Sequence, residues 1–173
     1  MNNDQHGHID IFQFVLFVTG IFTFGFLDGY TATQMMGKYG VMAEYNPLFR
    51  YISMNYGLAS FMLIKMTAVS LVLSTPLLIQ RFSRDSMYWM TNGFLGVFAV
   101  SGVVAAISNY TLLQSGTAFA DPKIIMGMTL VFVFSAICLG DALDQNRNKK
   151  NSLNFKISDD EWQRMKYEIG YPA

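Results

Sequence analysis

Four long apolar segments constrain this chain more than any other feature of its sequence. They run over residues 11–36, 57–79, 89–113 and 124–143. Each is close to the roughly 20 apolar residues that an α-helix needs to cross the hydrocarbon core of a bilayer. Because backbone polar groups in lipid must be satisfied within the chain, we predict an all-α, integral-membrane four-helix bundle.

The scarcity of charged residues supports this prediction. They make up 14 % of the sequence, whereas ordinary globular domains contain about 25 %. Lys and Arg together number 12, and Asp and Glu also number 12, so the formal net charge is zero. This balance lacks the basic footprint of a nucleic-acid-binding protein. We therefore expect the lipid bilayer as a partner and no nucleic acid.

Basic residues in the short loops predict the orientation of the four helices. Four spans place both termini and the loop at residues 80–88 on one side of the membrane. Positively charged residues favour the cytoplasmic side. The side with the termini carries Arg81, Arg84, Arg147, Lys149 and Lys150, and the opposite side carries Lys38, Arg50 and Lys123. We predict a multi-pass membrane protein with both termini in the cytoplasm.

The polar end of the chain predicts a second unit. We place a transmembrane domain at residues 1–144 and a polar linker with a capped helix at residues 145–173. The linker would cover residues 146–154. Ser158 and Glu161 then form a capping-box pattern, which is typical of a helix start. The sequence thus predicts a short C-terminal surface helix that begins at Ser158.

One face of this tail helix is apolar. Trp162, Met165 and Ile169 recur at helical spacing, which indicates a face that docks on another surface. That surface is either the inner face of this protein together with the lipid headgroups, or a neighbouring subunit. The sequence leaves both alternatives open.

Two charged residues lie inside the apolar segments, at matching depths. Asp28 precedes the end of the first segment, and Lys65 follows the start of the second, each by about 12 Å at 1.5 Å per residue. Charges at membrane depth are costly, so they face the protein interior and pair with one another. We predict an ion pair between them, with Thr31 hydrogen-bonded to the carboxylate.

The connection between these two segments predicts a helix start. Asn46 is a favourable N-cap residue, and Pro47 is favourable at the first helical position. A short interfacial helix is expected to follow, with Arg50 pointing outward. Glu44 lies just before this helix, where its charge suits the N-terminal end of the helix dipole.

This arrangement resembles a family of small prokaryotic four-span membrane proteins that is classed as a domain of unknown function. The family pattern has an Asp and a following Thr in the first helix, a Glu-x-Asn-Pro motif, and a Lys in the second helix. Here these are Asp28, Thr31, residues 44–47 and Lys65, within a similar region of residues 20–70. The resemblance implies the four-span fold, a location in a prokaryotic cell membrane and this residue set, without a mechanism.

The sequence contains no motif that predicts catalysis, a metal ion or a cofactor. It has no glycine-rich phosphate loop and no His-Glu-x-x-His motif. The four apolar segments contain no histidine, and Cys138 is the one cysteine in the sequence. We therefore predict no catalytic residue, no metal site and no cofactor.

Three functions remain open at this point. The leading hypothesis is an accessory or structural subunit of a larger membrane protein complex, with other membrane subunits as partners and a buried Asp28–Lys65 cluster as a stabilising element. The alternative is a small transporter or ligand-binding protein that uses Asp28, Glu44 and Lys65. The third is an intramembrane enzyme. Because buried ion pairs often fix helix register without adding net stability, the cluster is either structural or functional.

Overall fold

The computed structural model describes residues 9–83 and 85–169, and beyond Lys150 it describes side chains only at Glu161 and Arg164. The described residues form helices and turns, without a β-strand. The elements are α1 (Ile11–Gly20), a π-helix (Ile21–Leu27), α2 (Asp28–Tyr39), a 3-10 turn (Val41–Ala43), α3 (Pro47–Phe82), α4 (Tyr88–Ser115) and α5 (Pro122–Ile169).

Four of the helical segments are long and apolar enough to cross a membrane. The first combines α1, the π-helix and α2, the next two are α3 and α4, and the last is the part of α5 up to Lys150. The predicted all-α four-helix bundle is therefore confirmed. The chain is a multi-pass membrane protein.

The first span changes its helical geometry immediately before Asp28. Its start is fixed by a capping box, in which the Asp10 carboxylate accepts from the Gln13 backbone N–H at 2.7 Å. The helix then widens into a π-helix over Ile21–Leu27 and returns to α-geometry at Asp28. Such π-turns are uncommon and occur frequently at functional sites.

The second span is bent at Gly57. This residue has φ 81° and ψ 171°, a conformation outside the helical range that glycine adopts without a steric penalty. Before the bend lies a short helix that begins at Pro47, with the Asn46 side chain accepting from the backbone N–H groups of Leu48 and Phe49. The predicted helix start at Asn46 and Pro47 is confirmed.

Close backbone contact joins α4 to the π-helix. A Cβ atom at Gly102 would overlap the backbone of Thr23 and Phe24. Beside it, the Thr23 hydroxyl donates a hydrogen bond of 2.9 Å to the Ala99 carbonyl. Small residues allow membrane helices to approach each other in this way. The π-helix is thus held directly against the middle of α4.

A pair of buried side-chain amides joins the start of α1 to the end of α3. Gln13 donates to Gln80 at 2.7 Å, and Gln80 donates back to Gln13 at 3.1 Å. Each buried amide therefore satisfies the other. Neither residue was predicted from the sequence to form a contact between helices.

The fourth span is attached to the start of α4 by a carboxylate. Asp144 is 3 % exposed and accepts hydrogen bonds from the backbone N–H groups of Trp89 and Met90, both at 3.1 Å. These are among the unpaired amides that begin α4, and a negative charge there is favourable. One turn further on, the Asn148 side chain accepts from the Ser86 N–H at 3.2 Å.

The prediction of a linker at residues 146–154 is wrong. Residues 146–154 are helical, and α5 runs without interruption to Ile169, so Ser158 lies inside a helix instead of starting one. No Gly or Pro occurs between Asp141 and Ile169, and extending a helix requires no new nucleus. The division into two units at residue 144 stays a prediction. The side chains of Trp162, Met165 and Ile169 lie outside the described side chains, and their docking also stays a prediction.

Replacing Asp144 tests its role at the start of α4. Asp144→Ala is expected to lower the free energy of unfolding by about 1–2 kcal/mol, because two amides lose their acceptor. The measurement is denaturant or thermal unfolding in mild detergent. Asp141→Ala is the control, since that carboxylate is exposed and bonds Gln145 on its own helix. Equal losses in the two variants would contradict the assignment.

Candidate functional site

The predicted ion pair is present in the middle of the candidate site. The Lys65 Nζ atom lies 2.8 Å from the Asp28 Oδ2 atom, and each residue is 7 % exposed. Along α3, Lys65 lies one turn from Phe61 and one turn from Val69, which belong to two separate apolar core clusters. The pair therefore occupies a polar position between two apolar layers.

Asn109 on α4 completes the coordination of Asp28. Its Nδ2 atom donates to the Asp28 Oδ1 atom at 2.8 Å, so both carboxylate oxygens are hydrogen-bonded. Asn109 was not among the site residues predicted from the sequence. The available signal was a side-chain amide within an otherwise apolar span, because such amides hydrogen-bond across membrane helices.

The predicted hydrogen bond from Thr31 to the Asp28 carboxylate is wrong. The Thr31 hydroxyl lies 3.0 Å from the carbonyl of Leu27 and 3.1 Å from that of Asp28, both acceptors on its own helix. A threonine inside a helix commonly bonds a carbonyl of the preceding turn. The Thr31 hydroxyl also accepts a hydrogen bond of 3.4 Å from the Asn109 side chain. Thr31 is therefore connected to Asp28 through Asn109.

Two aromatic rings lie beside the Lys65 ammonium. Its Nζ atom is 5.5 Å from the centre of the Phe61 ring and 5.9 Å from that of the Phe49 ring. Aromatic faces attract cations, and more so where water is excluded. The ammonium is therefore held by the carboxylate of Asp28 and by these rings.

Glu44 reaches the site from the connection between the first two spans. Its Oε1 atom accepts from the Asn46 backbone N–H at 2.8 Å. Its main-chain carbonyl accepts two hydrogen bonds from the Arg50 guanidinium, at 2.9 and 2.7 Å. Arg50 therefore turns back toward the connection, and the expectation that it points outward is wrong. A planar guanidinium suits such a two-point contact.

The environment of Glu44 changes its acidity. Burial raises the pKa of the Glu44 carboxyl above its ordinary value near 4.5, and the negative charge of Asp28 adds to the increase. The Asn46 N–H and the positive charges of Lys65 and Arg50 oppose this rise without cancelling it. Desolvation disfavours the charged form of a carboxylate, which explains the direction.

This shift predicts how stability depends on pH. A raised pKa means that Glu44 in the folded protein keeps its proton at pH values where the unfolded chain has released it. The contribution of Glu44 to the free energy of unfolding is therefore present below pH 4.5 and is lost as the pH rises. We expect the melting temperature of the wild type to fall relative to Glu44→Gln as the pH rises from about 4.5. Melting curves of both proteins in detergent measure the difference. Parallel pH profiles would contradict the prediction.

These side chains line a cavity of about 400 Å³. We call Asp28, Glu44, Asn46, Lys65 and Asn109 the polar wall of this cavity. The rest of the lining is largely apolar and includes Phe24, Phe98 and Met126. A volume of about 300–1,000 Å³ with a few polar groups in an apolar lining is typical of small-molecule sites.

The structure thus brings together four of the five predicted site residues. Asp28, Glu44, Asn46 and Lys65 line the cavity, whereas Thr31 lies behind it. The cavity lies at the end of the bundle where α2 ends and where α3 and α5 begin, since residues from the two connections also line it. Whether these residues bind a ligand stays a prediction.

The comparison with known families concerns this same region. A family model described as a domain of unknown function, DUF5658, matches residues 19–115, more than half of the chain. The chain belongs to the DUF5658 family. The DUF5658 region contains the whole polar wall, the π-helix and α4, and it ends before α5. No curated protein and no solved structure matches the chain.

Proposed function

We propose that this protein binds a small molecule within the membrane, in the cavity bounded by the polar wall. The proposal corresponds to the alternative of the sequence analysis, a transporter or ligand-binding protein. The observation that carries it is the position of the Asp28–Lys65 pair and of Glu44, all buried and all facing the same space of about 400 Å³.

A purely structural role explains this arrangement less well. An ion pair that only fixed helix register would be enclosed by packed side chains on every side. Here the pair borders open volume, and Glu44 brings a further buried carboxylate from outside the spans. A few polar groups in a largely apolar cavity are the usual means by which a binding site orients a small ligand.

We also infer the orientation of the site from the distribution of basic residues. With both termini in the cytoplasm of a prokaryotic cell, the connection at residues 40–46 lies at the outer surface. The cavity is lined by residues of this connection. The ligand would then reach the cavity from the outer side of the cell membrane.

A thermal-stability screen with a cavity-filling variant tests the binding proposal. Ala105 lines the cavity on α4, so Ala105→Phe occupies its volume, whereas Val100→Phe adds the same ring on the exposed face of the same helix. Compounds that raise the melting temperature of the wild type are expected to lose their effect in Ala105→Phe and to keep it in Val100→Phe. Ligands that act equally on both variants, or a screen without any ligand, would overturn the proposal.

A second function is favoured by the position of α5. Among the described elements α5 packs against α4, and few residues in its membrane window are buried. The helix continues to Ile169, well past the end of its membrane window at Lys150. This geometry supports the leading hypothesis of the sequence analysis, an accessory subunit that contacts other membrane subunits through Trp162, Met165 and Ile169.

Native mass spectrometry after extraction in mild detergent tests this second function. Wild-type protein is expected to carry a further subunit with fixed stoichiometry, and Trp162→Ala is expected to lose it, because the apolar face of the tail is disrupted. Arg164→Ala is the control, since Arg164 is exposed on the same segment. A wild-type spectrum with this chain alone would overturn the hypothesis.

A further inference from the structure

The charged side chains that line the cavity do not balance among the described residues. The polar wall contains two carboxylates, Asp28 and Glu44, and one ammonium, Lys65. Lys65 is already paired with Asp28 at 2.8 Å. The Arg50 guanidinium bonds the main-chain carbonyl of Glu44, so it is not an ion-pair partner of that carboxylate. Within the described part of the chain, the Glu44 carboxylate has no ion-pair partner.

Glu44 also has an unused hydrogen-bond acceptor. Its Oε1 atom accepts from the Asn46 N–H, and the other carboxylate oxygen accepts no hydrogen bond from the described residues. Both oxygens of Asp28 are occupied, by Lys65 and by Asn109. Glu44 is 9 % exposed and lines the cavity. It is therefore a buried acceptor that a ligand in the cavity can reach.

The remaining lining suits a positive charge on an apolar body. Phe24, Tyr45, Phe49 and Phe98 contribute aromatic side chains to the cavity, and aromatic faces attract cations. Phe49 already does so toward Lys65. An anionic ligand, in contrast, would face the Glu44 carboxylate, and the one cation of the polar wall is already paired. Like charges placed together in a desolvated site oppose binding.

We propose that the ligand of this cavity is a small organic cation, an ammonium group on an apolar or aromatic body, bound by the Glu44 carboxylate. This inference rests on the proposed small-molecule binding and names its ligand class. The ammonium donates to the free carboxylate oxygen of Glu44, while its apolar body lies against the aromatic side chains.

Three probes with the same phenyl group and different charge test the inference. They are 2-phenylethylammonium, the uncharged 2-phenylethanol and the anionic phenylacetate. Titration calorimetry at pH 8, with protein in nanodiscs of zwitterionic lipid, measures the affinity of each. A charge-assisted hydrogen bond corresponds to roughly tenfold or more in affinity. We therefore expect the ammonium to bind about tenfold tighter than the alcohol, and the carboxylate to bind most weakly.

Glu44→Gln supplies the decisive variant. Glutamine keeps an oxygen that can accept from the Asn46 N–H, so the turn is preserved while the charge is lost. We expect the affinity for 2-phenylethylammonium to fall about tenfold and the affinity for the alcohol to stay within about twofold. Asp141→Asn is the control, because Asp141 is an exposed carboxylate on α5 that does not line the cavity. It is expected to leave all three affinities unchanged.

The outcomes separate this inference from the binding proposal on which it rests. If the alcohol or phenylacetate binds as tightly as the ammonium, or if Glu44→Gln leaves the ammonium affinity unchanged, the cation assignment is overturned and cavity binding stands. If none of the three probes binds, the cation assignment is also overturned. Ala105→Phe decides the binding proposal itself, because this variant must have a lower affinity for every probe that binds the wild type.

Discussion

Removal of either partner of the Asp28–Lys65 pair is expected to destabilise the protein strongly. Removal of both partners is expected to cost much less than the sum of the two single losses. Each residue is 7 % exposed, so a single substitution leaves an unpaired charge away from water. Such losses are about 3–5 kcal/mol for buried pairs, and neutral replacement of the whole pair is far less costly. Asp28→Asn and Lys65→Met are the single variants of this cycle.

Unfolding of the wild type, the two single variants and the double variant in the same detergent measures the coupling. We expect a coupling energy of at least about 2 kcal/mol, at the upper end of the range for residues in contact. Lys150→Met is the control for loss of a lysine charge, because Lys150 is exposed. If the two single effects simply add, the residues are not coupled and the pair does not hold the site together.

The second large effect is expected at Gly102. A Cβ atom there would overlap the backbone of Thr23 and Phe24 in the π-helix, and a backbone cannot move aside as a side chain can. We expect Gly102→Ala to lower the free energy of unfolding by about 1–3 kcal/mol or more. The hydrogen bond from Thr23 to the Ala99 carbonyl would be lost as the helices separate.

Gly96→Ala provides the matched control on the same helix. An added Cβ atom at Gly96 meets no atom within 4 Å. Alanine also has the higher helix propensity, so this variant is expected to be unchanged or more stable by up to about 1 kcal/mol. Unfolding curves of the two variants give the comparison. Similar losses at Gly96 and Gly102 would show that the contact with the π-helix is not the cause.

The sequence predicted those features that depend on position along the chain. Hydropathy is a local property, so all four spans could be located. The predicted first and third spans nearly match the observed Ile11–Tyr39 and Tyr88–Ser115, whereas the second span begins earlier, at Pro47, and the fourth ends later, at Lys150. The pairing of Asp28 with Lys65 followed from counting residues to a shared membrane surface, because the rise per residue in a helix is constant. The start of α3 followed from the local capping chemistry of Asn46 and Pro47.

Other features depend on the arrangement of the helices in three dimensions. Asn109 is separated from Asp28 by 81 positions along the chain, and no spacing rule connects them. The cavity is lined by residues of the first span, of both outer connections and of α3, α4 and α5, and local sequence patterns do not show that these segments meet. Arg50 and the residues 146–154 were misjudged because local polarity was taken to indicate solvent exposure and irregular structure.

The most direct test of ligand binding in the cavity is whether a ligand protects the cavity from chemical modification. Cys138, the one cysteine of the sequence, is exposed and is first replaced by Ser. Ala105→Cys then places a thiol at the cavity. Asn55→Cys places one outside the cavity, at an exposed position before the bend at Gly57. The measurement is the rate of modification by a small uncharged methanethiosulfonate reagent, with and without the compound that most stabilises the wild type. We expect saturating ligand to slow the reaction at position 105 several-fold and to leave position 55 unchanged. Equal rates at position 105 with and without ligand would contradict this expectation.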